Sequence, residues 1–83
     1  METRIAQIGI IVENPDSVEK INALLHQYSA YIVGRMGIPY PKKKISVISV
    51  IIDAPADDIG ALTGKLGMLP GVTTKTLYAK VNQ

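Results

Sequence analysis

Arg35 is the residue of this sequence whose type and surroundings most readily suggest chemistry. It stands in a short, mainly apolar segment, Tyr31–Gly37, between Gly34 and Met36. A guanidinium in such a segment needs a carboxylate, a phosphate or a subunit edge as its partner. Two interpretations stay open: an ion pair at an interface between subunits, or a clamp for the anionic group of a small effector.

The segment Gly60–Leu66 has the glycines and lysine of a phosphate-binding loop but lacks two of its requirements. Only three residues separate Gly60 from Gly64, and Leu66 stands where Ser or Thr would reach Mg²⁺. The segment also lies inside a helical pattern, where each glycine costs roughly 1 kcal/mol relative to alanine. We therefore predict that Gly60, Gly64 and Gly67 form a small-residue face for close helix packing.

Side chains suited to catalysis or metal binding are few. The chain has no cysteine and one histidine, His26, so a transition-metal site within one chain lacks ligands. The acids stand mainly at helix starts and strand ends, where the helix dipole explains them, and no Ser-His-acid set is implied. The sequence therefore predicts no enzyme, no metal and no cofactor.

Lys42–Lys44 is the one run of like charges, and it could contact phosphates. We favour a solvated hairpin loop, whose lysines also discourage aggregation at a sheet edge. The net charge of +2 is small for a whole domain, and Tyr40 is the one aromatic residue beside the run. A nucleic acid partner is accordingly not expected.

The elements that must position these residues follow the order β-α-β-β-α-β. Alternating β-branched residues predict the strands, apolar residues at helical spacing predict the helices, and Asn14-Pro15-Asp16 is typical of a helix start. The predicted elements are a strand over Arg4–Glu13, a helix through Val18, Ile21, Leu24, Leu25 and Tyr28, a strand over Tyr31–Gly37, a loop over Ile38–Lys44, a strand over Ile45–Asp53, a helix over Pro55–Leu69 and a strand over Val72–Val81. Two right-handed βαβ halves give an α+β, ferredoxin-like domain over residues 1–83, with a four-stranded antiparallel sheet and both helices on one face.

Such a sheet leaves one face bare, and this chain has apolar residues to place there. The strand Ile45–Asp53 is apolar on both faces, and a strand of that kind is covered on both sides. We predict that a homo-oligomer covers the bare face, by sheet-to-sheet or edge-to-edge pairing. The residues in question are Ile5, Ile11, Val47 and Ile51, or the alternate set.

The compartment is predicted from what the sequence contains at its start and in its apolar runs. Met1–Gln7 is mixed polar and does not read as a signal peptide. The longest nearly apolar stretch, Ile45–Ile52, is too short to span a bilayer. We expect a cytoplasmic protein with no membrane partner.

Three segments together resemble a known family of short bacterial proteins. They are Leu24–Ser29 (LLHQYS), Arg35–Pro39 (RMGIP) and Ile59–Gly67 (IGALTGKLG), the last followed by Pro70-Gly71-Val72. Over nearly its whole length the chain is similar to the iron-only hydrogenase system regulators. The resemblance implies an ACT-like fold, similar to the C-terminal sensor domain of the nickel-responsive repressor, with oligomers built through the sheets and a regulatory role.

The resemblance also implies where a ligand would bind. ACT-like domains often bind small effectors where loops meet a subunit interface, which here points to Asn14 and Asp16 in one loop and to Arg35 and Gly37 in the second strand. The nickel repressor's sensor domain uses several histidines and a cysteine, whereas this chain has His26 alone, so no nickel site is expected. Because the first strand begins almost at Met1, no attached DNA-reading segment is expected either.

The leading hypothesis is a free-standing ACT-like regulatory module. It would form dimers or larger oligomers and bind a small effector or a protein partner at an interface, with Arg35 as the anchor. One alternative is a structural assembly protein without a ligand. Another is a weak nucleic-acid binder that uses Lys42–Lys44.

Overall fold

Six regular elements follow one another along residues 2–80, the part of the chain that this computed structural model describes. Their bounds are β1 Arg4–Val12, α1 Val18–Gln27, β2 Ile32–Tyr40, β3 Ile45–Ala54, α2 Ala56–Gly67 and β4 Val72–Tyr78. Short 3-10 turns at Pro15–Ser17 and Pro41–Lys43 precede α1 and β3. The order confirms the predicted β-α-β-β-α-β pattern.

The four strands form one antiparallel sheet in the order β2-β3-β1-β4. β1 and β3, which are rich in Ile and Val, lie at the centre and pair from Arg4 opposite Ala54 to Val12 opposite Ser46. β4 pairs with β1, and β2 pairs with β3, so β2 and β4 are the edges. The predicted ferredoxin-like fold is confirmed.

β2 is longer than predicted. The sequence predicted a strand that ends at Gly37 and a loop over Ile38–Lys44, but β2 continues to Tyr40, which pairs with Ile45. Pro39 is tolerated because β2 is an edge strand, where a missing backbone N–H need not break the ladder. The connection to β3 is consequently a tight turn rather than a long loop.

The remaining boundaries differ by a few residues. β1 ends one residue before the predicted Glu13, and β3 ends one residue after the predicted Asp53. α2 is shorter than the predicted Pro55–Leu69 at both ends. β4 ends at Tyr78, and the predicted end of that strand, Val81, lies outside the described residues.

The core lies between the sheet and the two helices. The residues of β1 and β3 that face the helices are buried, and so are the central apolar residues of the helices. The buried set is Ala6, Ile8, Ile10, Val12, Ile21, Leu25, Ile48, Val50, Ile52, Ala54, Ile59, Leu62, Leu66 and Val72. The predicted stripe of α1 packs as expected, since Val18, Leu24 and Tyr28 are partly buried against this cluster.

The opposite side of the sheet is uncovered in the single chain. Gln7 occupies its middle and donates a hydrogen bond from Nε2 to Ser49 Oγ at 3.0 Å. Seven large apolar side chains of this open face are exposed: Ile11, Met36, Ile38, Tyr40, Val47, Ile51 and Leu77. Their common orientation follows from the register, which sets Leu77 beside Gln7 and Met36 beside Ser49.

α2 turns its glycines away from the sheet, toward the exposed side. A Cβ built at Gly60 or Gly64 would meet no atom within 4 Å, and one at Gly67 would reach only ordinary contact with Thr74 Oγ1, at 3.9 Å. Within the described chain the predicted close helix packing at these three glycines is therefore not found. The physical reason is that the apolar stripe of α2 takes the core side of the helix.

Candidate functional site

A groove of about 250 Å³ runs between α1 and the edge strand β2. Three elements supply its polar side chains, which are Asn22 from α1, Arg35 from β2 and Ser46 from β3. No Asp or Glu is among the described residues that line it. We call this concavity the α1–β2 groove; its other lining residues are Val18, Gly37, Ile38, Pro39 and Ile48.

Arg35 is held across the groove by α1. Its Nη2 donates a hydrogen bond to Asn22 Oδ1 at 2.7 Å, which is short for a bond from N–H to oxygen. The register places Arg35 opposite Val50, so the side chain lies on the helix side of the sheet, although it stays exposed at the edge. Since the Asn22 amide carries no charge, this bond orients the guanidinium without neutralising it.

A second concavity of about 440 Å³ lies where β1 ends and β2 turns into β3. We call it the hairpin-end cavity. Three prolines, one tyrosine and two aliphatic residues line it together with one acid, one lysine and one serine: Pro15, Pro39, Pro41, Tyr40, Val12, Ile45, Glu13, Lys44 and Ser46. Because Pro39 and Ser46 line both concavities, the hairpin-end cavity adjoins the α1–β2 groove.

The hairpin turn holds the predicted lysine run at the surface. Lys42 and Lys43 are exposed in the 3-10 turn, and Lys44 closes it by donating its backbone N–H to Pro41 O at 3.1 Å. Lys44 has φ 58° and ψ 37°, a left-handed conformation that costs a non-glycine residue roughly 1–2 kcal/mol. The turn thus fixes one lysine at the rim of the hairpin-end cavity.

The four residues predicted to bind a ligand fall into two pairs. Arg35 and Gly37 both line the α1–β2 groove. Asn14 and Asp16 line neither concavity; their neighbours Glu13 and Pro15 line the hairpin-end cavity instead. Arg35 and Gly37 therefore contribute surface to the α1–β2 groove, whereas Asn14 and Asp16 only adjoin the hairpin-end cavity through their neighbours in the chain.

Asn14 is engaged in local structure. Its Oδ1 accepts a hydrogen bond from the Asp16 backbone N–H at 3.0 Å, which caps the 3-10 turn. Asp16 itself is exposed. A cap of this kind fixes the path of the chain from β1 into α1, so Asn14 shapes the loop beside the hairpin-end cavity.

The turn between α2 and β4 is hydrogen-bonded to this same loop, which connects β1 to α1. Glu13 N donates to Gly71 O at 2.7 Å, and the buried Ser17 donates from Oγ to Pro70 O at 2.6 Å. Gly71 has φ +69°, and a Cβ there would lie 2.7 Å from Asn14 Cβ. Glycine is therefore required at this position, by its backbone conformation and by the close approach.

Sequence reasoning missed three residues that shape the site. Asn22 is a polar residue outside the apolar stripe of α1 and gave rise to no prediction, although its spacing of four from Val18 places both on one side of α1. Tyr40 and Ser46 were missed because the second strand was ended at Gly37. The pairing of Tyr40 with Ile45 and of Pro39 with Ser46 across the hairpin brings both residues to the concavities.

The rest of the described surface carries little else of a catalytic or metal-binding kind. His26 is exposed on α1. Among residues 2–80, no group of three or more His, Cys, Asp or Glu side chains could hold a metal ion. No helix within that range has the length and apolar character needed to cross a membrane.

The sheet order and the two helices on one face define the class of the protein, an ACT-like domain of the ferredoxin-like type. The sequence matches the TM1266-like family, described as "Iron-only hydrogenase system regulator, putative", over residues 4–76. The chain belongs to this family.

Solved structures agree with this assignment. The protein TM1266 from Thermotoga maritima has a TM-score of 0.91 and 35% identity, over 95% of this chain and 100% of that chain. The ACT domain of GTP pyrophosphokinase from Chlorobium tepidum has a TM-score of 0.66 and 22% identity, over 90% of this chain and 86% of that chain.

A third structure with this fold is CPII from Thiomonas intermedia K12, a nitrogen regulatory PII-like protein bound to ADP, AMP and bicarbonate. Its TM-score is 0.55 and its identity 14%, over 95% of this chain and 99% of that chain. No curated protein sequence matches the chain. The comparisons therefore identify the family through sequence and the ACT-like fold through structure.

Proposed function

We propose that this chain is a non-enzymatic, cytoplasmic regulatory module of the iron-only hydrogenase system, which self-associates and binds a small effector or a protein partner. One observation carries the proposal. Of the ten large apolar side chains that are exposed among the described residues, seven lie on the open face of the sheet. A patch of that kind marks an interaction surface.

The open face has the area that a second copy requires. Strands of 7 to 10 residues, at about 3.4 Å per residue and about 4.8 Å apart, outline a face of roughly 500–600 Å². Two such faces bury at least about 1,100 Å² together, near the 1,200 Å² at which specific interfaces begin. Protruding side chains add to the area of this flat outline, so the whole face is large enough for the interface of a symmetric dimer.

The effector part of the proposal rests on the α1–β2 groove and the hairpin-end cavity. Together they contain the predicted residues Arg35 and Gly37, and they adjoin the loop of Asn14 and Asp16. The PII-like protein of the same fold binds ADP, AMP and bicarbonate, so this fold can hold small molecules.

Native mass spectrometry on protein purified without oxygen tests the proposal, because it reports subunit count and retained ligand mass together. We expect an oligomer that carries a reproducible extra mass. A bare oligomer would favour a structural assembly protein without a ligand. A bare monomer would contradict the argument from the open face.

A further inference from the structure

The polar groups that line the α1–β2 groove share one electrostatic character, and this indicates a class of ligand. We propose that the groove binds a small organic anion. Its carboxylate or phosphate head would lie on Arg35, and its apolar body would lie over Pro39 toward the hairpin-end cavity. This inference rests on the proposed function and names the chemistry of its effector.

The head group is recognised by donors and by charge. Arg35 has five N–H donors, and its hydrogen bond to Asn22 engages one of its nitrogens. Ser46 and the amide of Asn22 add donors of their own. Among the described residues that line the groove, none is a carboxylate that would compete for these donors. Hydrogen bonds from a guanidinium to an anion are roughly twice as strong as neutral ones.

The body of the ligand is recognised by apolar walls. Val18, Pro39 and Ile48 provide these walls around the three polar side chains. At about 250 Å³ the groove is small for an organic ligand, but the hairpin-end cavity adds about 440 Å³ beyond Pro39. Few polar groups among apolar walls are typical of small-molecule sites, so an anion with a hydrophobic body fits better than a bare ion.

A matched series of probes separates head from body. Benzoate, phenyl phosphate, benzamide and benzylammonium share one ring and differ in the charge of the head, whereas acetate and inorganic phosphate are heads without a ring. Each is titrated into the ¹⁵N-labelled protein, and affinity is read from amide shifts at Arg35, Gly37 and Ser46. We expect benzoate and phenyl phosphate to bind with about millimolar Kd, and more tightly than any other probe.

The comparison of benzoate with phenyl phosphate distinguishes the two possible head groups. Tighter binding of benzoate would indicate a carboxylic acid effector, and tighter binding of phenyl phosphate would indicate a phosphate monoester. Either result supports an organic anion.

Two substitutions test the role of Arg35. Arg35→Gln removes the charge, and Asn22→Asp supplies a carboxylate that pairs with Arg35 and competes with the ligand. Each is expected to raise the Kd of benzoate and phenyl phosphate about tenfold or more and to leave that of benzamide within about twofold. Lys20→Gln is the matched control, because Lys20 is an exposed cation of α1 that does not line the groove.

Several outcomes would overturn the inference. These are benzamide or benzylammonium binding as tightly as benzoate, unchanged anion affinity in Arg35→Gln, and amide shifts that avoid the groove. The mass spectrometry that tests the proposed function is independent of these binding outcomes. An oligomer that retains a neutral or cationic ligand would overturn the anion inference alone, and a bare monomer that selects benzoate would overturn the proposed function alone.

Discussion

The backbone of Gly71 is tightly constrained by its surroundings. Its φ of +69° disfavours any L side chain, and a Cβ there would lie 2.8 Å from Asn14 N as well as 2.7 Å from Asn14 Cβ. We expect Gly71→Ala to lower the free energy of unfolding by about 2–3 kcal/mol, because it adds strain and displaces the β1–α1 loop. Urea denaturation measures this, and an unchanged midpoint would show that the loop has room to move.

Gly64 provides the opposite case. It lies in the interior of α2, and a Cβ there would meet nothing within 4 Å. Gly64→Ala should therefore raise the free energy of unfolding by about 0.5–1 kcal/mol, through helix propensity. A loss of stability or of oligomer in the same denaturation and sedimentation measurements would instead indicate that another molecule packs closely against this helix face.

The candidate site was predictable from the sequence only at residues whose type conflicts with their surroundings. Arg35 was found because a guanidinium among apolar neighbours needs a partner. The partner, Asn22, could not be found in the same way, because an amide on an exposed helix position needs no special explanation. Asn14 was assigned to a binding loop, while its oxygen is engaged in the cap, a use that sequence spacing also permits.

Between elements, the β1–α1 loop and the α2–β4 turn depend on one buried serine. Ser17 is 2% exposed and donates to Pro70 O. Ser17→Ala should lower the free energy of unfolding by about 1–2 kcal/mol, because it leaves a carbonyl without its partner. Ser29→Ala, at an exposed serine, is the control and should change stability by less than about 0.5 kcal/mol. Equal effects of the two substitutions would contradict a stabilising role for the hydrogen bond from Ser17 to Pro70 O.

The element least well predicted is β2, and the reason is physical. Two prolines and three lysines after Gly37 indicate a loop by composition. An edge strand can nevertheless contain proline, because one of its sides needs no ladder hydrogen bonds. Which strands are edges is decided by the sheet order, and a sequence does not display that order locally. The bounds of the central strands, β1 and β3, were predicted within one residue, because buried strands require the apolar, β-branched residues by which a strand is recognised in a sequence.

At the scale of the whole molecule, the open face makes a prediction about assembly. Leu77 lies on that face and is 69% exposed, so replacing it costs the single chain little stability. Leu77→Lys should reduce self-association about tenfold or more, because an added charge on the open face would be buried in the contact between two copies. Sedimentation velocity over a range of concentrations measures this.

The matched control for Leu77→Lys is Met68→Lys. Met68 is 85% exposed after the end of α2, on the side of the molecule away from the open face. The substitution adds the same charge, so it should leave association within about twofold. If both variants assemble like the parent chain, the open face is not the contact; if both dissociate, net charge rather than the face controls assembly.

The overall topology could be predicted because the different kinds of sequence signal agreed with one another. Helix caps, apolar periods and turn residues all indicated the same six elements, and right-handed crossovers then leave few arrangements. The site could not be predicted to the same depth, because it forms between elements that are distant in sequence, such as Asn22 with Arg35 and Pro15 with Lys44.

The pairing of β1 with β4 brings the beginning of the first strand next to the end of the last. Ala79 N donates to Ile5 O at 2.9 Å, and Ala6 pairs with Tyr78. A domain with adjacent ends can be spliced into a surface loop of a host protein without stretching either chain. It can also be circularly permuted, with a short linker joining these ends and new termini in the exposed turn at Pro41–Lys43.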